Sequence, residues 1–186
     1  SFYWANRSKY RKVADFGANI GVHTCVLSRC GYDVHSFEPD PVHFDILSKN
    51  IERNGLSTVT PFRCAISTTE GEHEFVRIVD NTTGGHLAGA KSNPYGPIDR
   101  FPVETVLAAP HIAWADLIKM DIEGAEYNVI PHMLDNGVFN LIDEIFLEGH
   151  TMKLSKLEEV RKRKYEDIIN MLKTIRSVGV WAHEWF

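Results

Sequence analysis

The chain has few of the features that mark a secreted, membrane-spanning or metal-knuckle protein. It has three cysteines, Cys25, Cys30 and Cys64, which are too few and too irregularly spaced for a disulfide framework or a zinc knuckle. No apolar run approaches the roughly 18 residues of a membrane-spanning helix. Residues 1–4 do not form a signal peptide, because no basic segment leads into an apolar stretch. We therefore expect a cytoplasmic protein with no membrane partner.

Basic residues are also fewer than acidic residues. The 20 Lys and Arg residues face 25 Asp and Glu, so the formal net charge is −5. An acidic chain has no general attraction to phosphate backbones, and we expect no nucleic-acid partner. The length of 186 residues fits a single domain over residues 1–186. Because the sequence does not begin with Met, a second expectation is that this domain is covalently joined to neighbouring domains in a longer chain.

Strand and helix patterns alternate along the first third of the chain. In order, they predict a strand ending at Phe16, a helix after Gly21, a strand at 34–37, a helix from Pro41 to Asn54 and a strand at 58–62. Such alternation predicts an α/β fold, a doubly wound and mostly parallel sheet with helices on both faces.

The middle of the chain is less regular. Residues 72–79 and 101–106 read as strands, but residues 80–100 between them hold four Gly and two Pro with no apolar period. We predict a loop there, and loops of that length are often functional. Regularity then returns, and the patterns predict a strand at 117–120, a helix at 125–135, a strand at 142–147, a helix at 155–176 and a strand at 178–186.

The sharpest local signal is the turn at residues 15–21, which reads Asp-Phe-Gly-Ala-Asn-Ile-Gly between a strand and a helix. Glycines let the backbone turn tightly and let a ligand approach closely. The following helix N-terminus offers free N–H groups to an anion. Glu38 ends the next strand, where doubly wound nucleotide binders place an acid for ribose hydroxyls. The turn therefore predicts a nucleotide-like cofactor.

Two cofactors compete for this turn. A dinucleotide favours three glycines in a G-x-G-x-x-G pattern, whereas this chain has G-x-N-x-G preceded by Asp15. An acid would repel a pyrophosphate but suits the sulfonium and ammonium groups of S-adenosylmethionine. The pattern favours S-adenosylmethionine, and a Gly-rich turn without a ligand is the plain alternative.

A second polar cluster is predicted at the same edge of the sheet. Asp121 follows the buried strand at 117–120, which we expect beside the first strand, so that Asp121 faces the methyl group. Glu148 and His150 end the next strand. Ligands of doubly wound sheets bind outside the carboxyl ends of the strands, where the strand order reverses.

Residues 13–24, 37–41 and 118–126, together with Glu148 and His150, resemble the FkbM-type methyltransferase family. The resemblance runs from about residue 13 to residue 150. It implies a Rossmann-like class I methyltransferase fold, S-adenosylmethionine as the donor, and O-methylation of a hydroxyl on a sugar, a glycan or a related small molecule.

The chain departs from the family pattern in two places. Residues 105–110 read Thr-Val-Leu-Ala-Ala-Pro, where family members usually carry a Leu-Asp-Asp-like stretch. Only one predicted strand follows the long helix, so we expect the family's final antiparallel strand to be missing. Both departures concern the acceptor and leave the expected donor unchanged.

The resemblance also implies residue roles. The methionine end of the cofactor would lie on the turn, its ribose at the end of the second strand and its adenine near residue 64; the implied contacts are Asp15, Gly17, Ala18, Asn19, Gly21, Glu38, Pro39, Cys64 and Ala65. The acceptor side would contain Asp121, Glu123, Glu148 and His150. From the long predicted loop, Asn81 and His86 are further candidates to close over the acceptor.

Methyl transfer is an in-line displacement, and a protonated hydroxyl is a weak nucleophile. A positioned base accelerates such reactions by ~10²–10⁴-fold. Asp121, Glu148 and His150 are the catalytic candidates, and we favour His150 because an imidazole titrates near neutral pH. The same three residues could instead hold Mg²⁺ or Mn²⁺, an alternative that we do not favour.

Two other functions remain open on the sequence alone. A nicotinamide-dependent, sugar-modifying oxidoreductase uses a similar fold, although the missing G-x-G-x-x-G and the presence of Asp15 weigh against it. A non-catalytic module that binds S-adenosylmethionine would keep the fold without the chemistry. The presence of the acidic residues Asp15, Glu38 and Asp121 argues against a loss of catalytic activity.

Overall fold

The computed structural model describes residues 2–79, 81, 83–91, 96–150 and 158–185. Its helices and strands are, in chain order, α1 (Phe2–Asn6), β1 (Lys12–Phe16), α2 (Val22–Arg29), β2 (Asp33–Phe37), α3 (Pro41–Arg53), β3 (Val59–Phe62), β4 (Ala65–Ser67), β5 (Gly71–Ile78), β6 (His86–Leu87), β7 (Ile98–Leu107), α4 (Ala109–Ile112), β8 (Leu117–Met120), α5 (Glu126–Asp135), a 3-10 turn (Val138–Leu141), β9 (Glu144–Glu148), α6 (Glu158–Ser177) and β10 (Trp181–Trp185).

Six of these strands form the main sheet, in the order β10-β9-β8-β1-β2-β3. Each pairing seen among the described residues of this sheet is parallel. The chain runs outward from β1 to β3 and later returns to β8 on the other side of β1. The strand order therefore reverses between β1 and β8, which confirms the predicted doubly wound α/β fold.

The apolar strand patterns follow from burial on both faces of this sheet. Val13 of β1 belongs to one apolar cluster with Leu27 of α2. The next residue, Ala14, belongs to a separate cluster with Ile130 of α5. Adjacent side chains of a strand point to opposite faces, so a strand covered by helices on both faces is buried along its length and mostly apolar.

A second sheet corrects the sequence prediction for the middle of the chain. Four strands pair in the order β4-β7-β5-β6, with β5 antiparallel to both β6 and β7. The prediction of one loop over 80–100 was wrong, since β6 lies within it and β7 begins at Ile98. The first residues of β7 are exposed, so backbone pairing with β5 forms this strand end without an apolar pattern.

Other predicted bounds shift by small amounts. The helix predicted from residue 125 begins at Glu126, and the last strand is shorter than predicted and pairs in parallel with β9. The start of the helix predicted at 155–176 lies outside the described residues. The short elements α1, α4 and the 3-10 turn escaped prediction, because four or five residues cannot show a helical period. None of the helices within the described residues combines the length and apolar character that crossing a bilayer requires.

Candidate active site

The Gly-rich turn after β1 lies directly against the end of β8. Gly17 has a φ of +79°, and a Cβ placed there would lie 1.7 Å from the carbonyl oxygen of Asp121. Gly21 caps α2 with a φ of +91°, and a Cβ there would lie 2.5 Å from Leu47 Cδ1. Only glycine fits these two positions, because the backbone is left-handed and the space is filled.

Glu38 is buried at the end of β2 and holds the turn from the other side. One of its carboxylate oxygens accepts a hydrogen bond of 2.8 Å from the backbone of Asn19, and the other accepts one of 2.9 Å from Asp40. His43 Nδ1 lies 3.8 Å from the same carboxylate. Bonding to Glu38 raises the pKa of His43, burial opposes that shift, and the charge of Asp40 reinforces it.

Asp15 and Lys119 form a buried ion pair behind the turn. Asp15 is fully buried, accepts a hydrogen bond of 2.7 Å from Thr24 Oγ1, and lies 3.1 Å from Lys119 Nζ. Lys119 also donates a 2.7 Å hydrogen bond to the carbonyl of Gly17. Burial alone would lower the pKa of Lys119, but the charges of Asp15 and Asp121 outweigh it and raise that pKa. Lys119 is therefore a buried cation.

Acidic side chains converge on the imidazole of His150 at the ends of β8 and β9. His150 Nε2 lies 3.3 Å from Asp121 Oδ1 and 3.3 Å from Glu123 Oε2. The carboxylate of Glu148 lies 3.6 Å from the same nitrogen. The structure therefore brings together the three predicted catalytic candidates, and Glu123 with them. Their catalytic roles stay predictions.

Glu126 holds the other side of the His150 ring. Its carboxylate accepts a backbone hydrogen bond from His150 and lies 3.1 Å from Nδ1. Burial would lower the pKa of His150, but the bond to Glu126 and the surrounding carboxylate charges outweigh it and raise the pKa. Burial raises the pKa of Asp121, against the opposing charge of Lys119. Residue patterns assigned no role to Glu126, since an acid in the first turn of any helix is favourable.

Donor atoms of Asp121, Glu123 and His150 lie within 4.8 Å of one another, close enough for one divalent cation. This set replaces Glu148 of the predicted metal alternative with Glu123. Glu123 is already paired with Lys91, however, so part of its charge is compensated. The pair weakens the argument for a cation at this cluster.

Glu123 also joins the second sheet to the rim of the main sheet. It adopts a φ of +52°, uncommon for a residue with a side chain, and accepts a 2.9 Å hydrogen bond from the backbone of Gly84. His86 is buried nearby, with Nδ1 2.9 Å from the carbonyl of Gly84. Burial lowers the pKa of His86. Asn81 is exposed, and its side chain accepts hydrogen bonds from Thr83.

One cleft connects the turn, the end of β2 and the rim. Nine predicted site residues line it, namely Gly17, Asn19, Glu38, Pro39, Cys64, Ala65, His86, Asp121 and Glu123. The other predicted residues, which do not line it, are Asp15, Ala18, Gly21, Asn81, Glu148 and His150. The cleft wall also contains His43 and Phe75, which the sequence analysis missed. Phe75 comes from the second sheet, and no local motif signals its position.

A family model described as the Methyltransferase FkbM domain matches residues 15–179. The chain is 29% identical over 119 residues to the hexuronic acid methyltransferase AglP of Haloferax volcanii, covering 64% of this chain and 48% of AglP. It is 25% identical over 160 residues to methyltransferase 1 of Beauveria bassiana, covering 73% of this chain and 63% of that protein. The chain thus spans less than two thirds of either relative.

Two solved structures show a more distant likeness. One is a putative O-methyltransferase from Klebsiella pneumoniae, with 14% identity, a TM-score of 0.47, and coverage of 92% of this chain and 66% of that chain. The other is an O-methyltransferase from Bacillus cereus in complex with SAH, with 16% identity, a TM-score of 0.46, and coverage of 91% and 67%.

Proposed function

Because residues 15–179 match its domain model, this chain belongs to the FkbM methyltransferase family, and we propose that it transfers a methyl group from S-adenosylmethionine to a hydroxyl oxygen of a sugar, a glycan or a related small molecule. The observation that carries this proposal is the shared cleft. It joins a Gly-rich turn and a buried acid, Glu38, to an acidic rim that contains Asp121.

The donor end of the cleft suits S-adenosylmethionine. Gly17 and Asn19 of the turn line the cleft, and Glu38 lines it with a carboxylate whose bonds to Asn19 and Asp40 fix its orientation. Cys64 and Ala65 supply an apolar wall for a flat base. When bound, S-adenosylmethionine supplies an electrophilic methyl group on a sulfonium.

The acceptor end suits the removal of a hydroxyl proton. Asp121 lines the cleft and is in position to accept a hydrogen bond from an acceptor hydroxyl. His150 Nε2 lies 3.3 Å behind one of its oxygens, and Glu126 engages Nδ1 on the far side of the ring. In our proposal, the oxygen–methyl bond forms as the methyl–sulfur bond of the sulfonium breaks, which leaves S-adenosylhomocysteine. Asp121 accepts the hydroxyl proton and passes it to the neutral ring of His150.

A sugar acceptor is supported by the likeness to AglP, a hexuronic acid methyltransferase. Hydroxyl donors of a sugar also match a rim that is rich in carboxylate acceptors.

Ligand-dependent thermal shifts test the donor. We expect S-adenosylmethionine and S-adenosylhomocysteine to raise the melting temperature, since a ligand that binds only the native state stabilises it, and NAD to have no effect. A shift with NAD alone would support the oxidoreductase alternative.

A screen of sugars and glycans, read by mass spectrometry for the mass of one added methyl group, tests the acceptor. We expect methylation of a hydroxyl and conversion of S-adenosylmethionine to S-adenosylhomocysteine. Tight donor binding without transfer to any acceptor in a broad screen would favour the binding-module alternative.

A further inference from the structure

Lys119 is a buried cation in β8 that contacts both ends of the site. It is 2% exposed, and its Nζ donates a 2.7 Å hydrogen bond to the carbonyl of Gly17. The same nitrogen lies 3.1 Å from Asp15 Oδ1 and 3.7 Å from Asp121 Oδ2. One ammonium group therefore joins the strand before the turn, the turn itself and the acidic rim.

We propose that Lys119 is a positioning residue for methyl transfer. Its hydrogen bond fixes the carbonyl of Gly17, and with it the turn at 17–21 whose backbone faces the donor. Its charge also holds the carboxylate of Asp121 toward that turn. The part of this inference that concerns the donor rests on the proposed function, whereas the part that concerns the turn does not.

Packing and stability alone do not account for a lysine at this position. A buried ion pair is often no more stable than apolar residues of similar volume, because desolvation offsets the attraction between the charges. The neighbours of Lys119 in β8, Ile118 and Met120, are apolar and fully buried. What an apolar residue at position 119 would lack is a donor for Gly17 and a charge beside Asp121.

The test compares two variants that differ only at residue 119. Lys119→Met alone would leave Asp15 buried without its partner charge, so Asp15→Asn is the reference and Asp15→Asn/Lys119→Met is the test. In the ligand-free chain, we expect backbone amide hydrogen exchange at residues 17–21 to be faster in the double variant. We also expect its Kd for S-adenosylhomocysteine, measured by calorimetry, to rise roughly tenfold or more, as for the loss of a charge-assisted hydrogen bond.

Lys9→Met is the matched control. Lys9 Nζ lies 3.5 Å from the buried carboxylate of Glu144, at the opposite end of the sheet from the cleft. This change also removes a lysine–carboxylate pair, and we expect neither the exchange at 17–21 nor the affinity to move. If Asp15→Asn/Lys119→Met does not fold, Asp15→Asn/Lys119→Leu replaces it, because leucine also removes both the charge and the hydrogen-bond donor.

Unchanged exchange at residues 17–21 and unchanged affinity in a folded double variant would overturn the proposal and leave Lys119 as a packing residue. A wild-type chain that binds no S-adenosylhomocysteine would instead count against the proposed function. In that case, the exchange comparison in the ligand-free chain still decides the role of Lys119.

Discussion

The two ends of the cleft are built in different ways. The donor end is made of a single stretch of chain, the turn at 15–21, and of one acid, Glu38, whose hydrogen bonds come from neighbouring backbone. The acceptor rim is made of side chains from separate segments that converge on the imidazole of His150. The donor end therefore depends on the shape of the backbone. The acceptor rim depends on how several carboxylates are held close together.

This difference predicts how each end tolerates substitution. No other side chain can restore the backbone conformation of the turn, so substitutions in the turn weaken folding and ligand binding together. The rim carboxylates are side chains that lie beside the cations Lys119 and Lys91, so removing one of them changes chemistry more than shape.

Gly17→Ala should have the largest effect, because it forces the turn away from the end of β8 and so disrupts both ends. The added Cβ meets the carbonyl oxygen of Asp121 at 1.7 Å in a left-handed backbone. We expect a loss of at least ~3 kcal/mol in the free energy of unfolding and no detectable binding of S-adenosylhomocysteine. Denaturant titration and calorimetry measure the two effects.

Gly55→Ala is the control for that change. Its φ is also positive, at +59°, but nothing lies within 4 Å of an added Cβ. We expect it to cost about 1 kcal/mol of stability from the backbone alone and to leave ligand binding intact. Equal effects at the two glycines would show that the close approach of the turn to β8 is unimportant.

His150→Ala should reduce chemistry while sparing the donor. We expect kcat to fall by ~10²–10⁴-fold, as for removal of a general base, with the affinity for S-adenosylhomocysteine unchanged. EDTA should leave wild-type activity intact. His132→Ala, which changes a histidine in the last turn of α5, is the matched control and should have wild-type activity.

The metal alternative gives the opposite pattern. Under it, EDTA abolishes turnover and added Mg²⁺ or Mn²⁺ restores it. Asp121→Asn and Glu123→Gln would then be at least as damaging as loss of the imidazole, because hard cations prefer oxygen ligands. Full activity in a variant with alanine at Asp121, Glu148 and His150 would contradict both versions and direct attention to His86.

Glu38→Ala should have an intermediate effect, confined to the donor end. We expect the binding of S-adenosylhomocysteine to weaken by ~1–3 kcal/mol, since the ribose loses its acceptor and the buried amides of Asn19 and Asp40 lose theirs. Calorimetry measures this change. Glu52→Ala, on the exposed side of α3, is the control, and equal affinity in both variants would exclude Glu38 as the ribose ligand.

The smallest effect concerns the titration of His43. The pKa of His43 is raised in the folded chain, mainly by Glu38. The protonated ring therefore stabilises the fold fully at pH values below the unfolded pKa of about 6.5. This stabilisation is lost as the pH rises through the higher folded pKa. Glu38→Gln should lower the pKa of His43, measured by NMR titration. The pKa of His86, which burial lowers, should not move, and a shift at both histidines would show that the two ends are coupled.

Residue patterns predicted the main sheet well, but of the second sheet they predicted only the two longer strands, β5 and β7. Strands that are covered on both faces are mostly apolar, so β1 and β8 could be located from the sequence although each contains one buried charged residue, Asp15 or Lys119. The two residues of β6 and the exposed start of β7 carry no such pattern, because backbone hydrogen bonds to β5 place them. The interpretation of 80–100 as a single loop failed for that reason.

The amino-acid sequence was sufficient to predict the order of the main-sheet strands and their longer helices, the glycines at 17 and 21, and the acids at strand ends, because these depend on neighbouring residues. Only the tertiary structure decided that Lys119 pairs with Asp15 and reaches Gly17, that Glu126 holds the ring of His150, and that Glu123 docks the second sheet. Such contacts join residues distant along the chain, and their distances and charges are set only when the sheet brings those strand ends together.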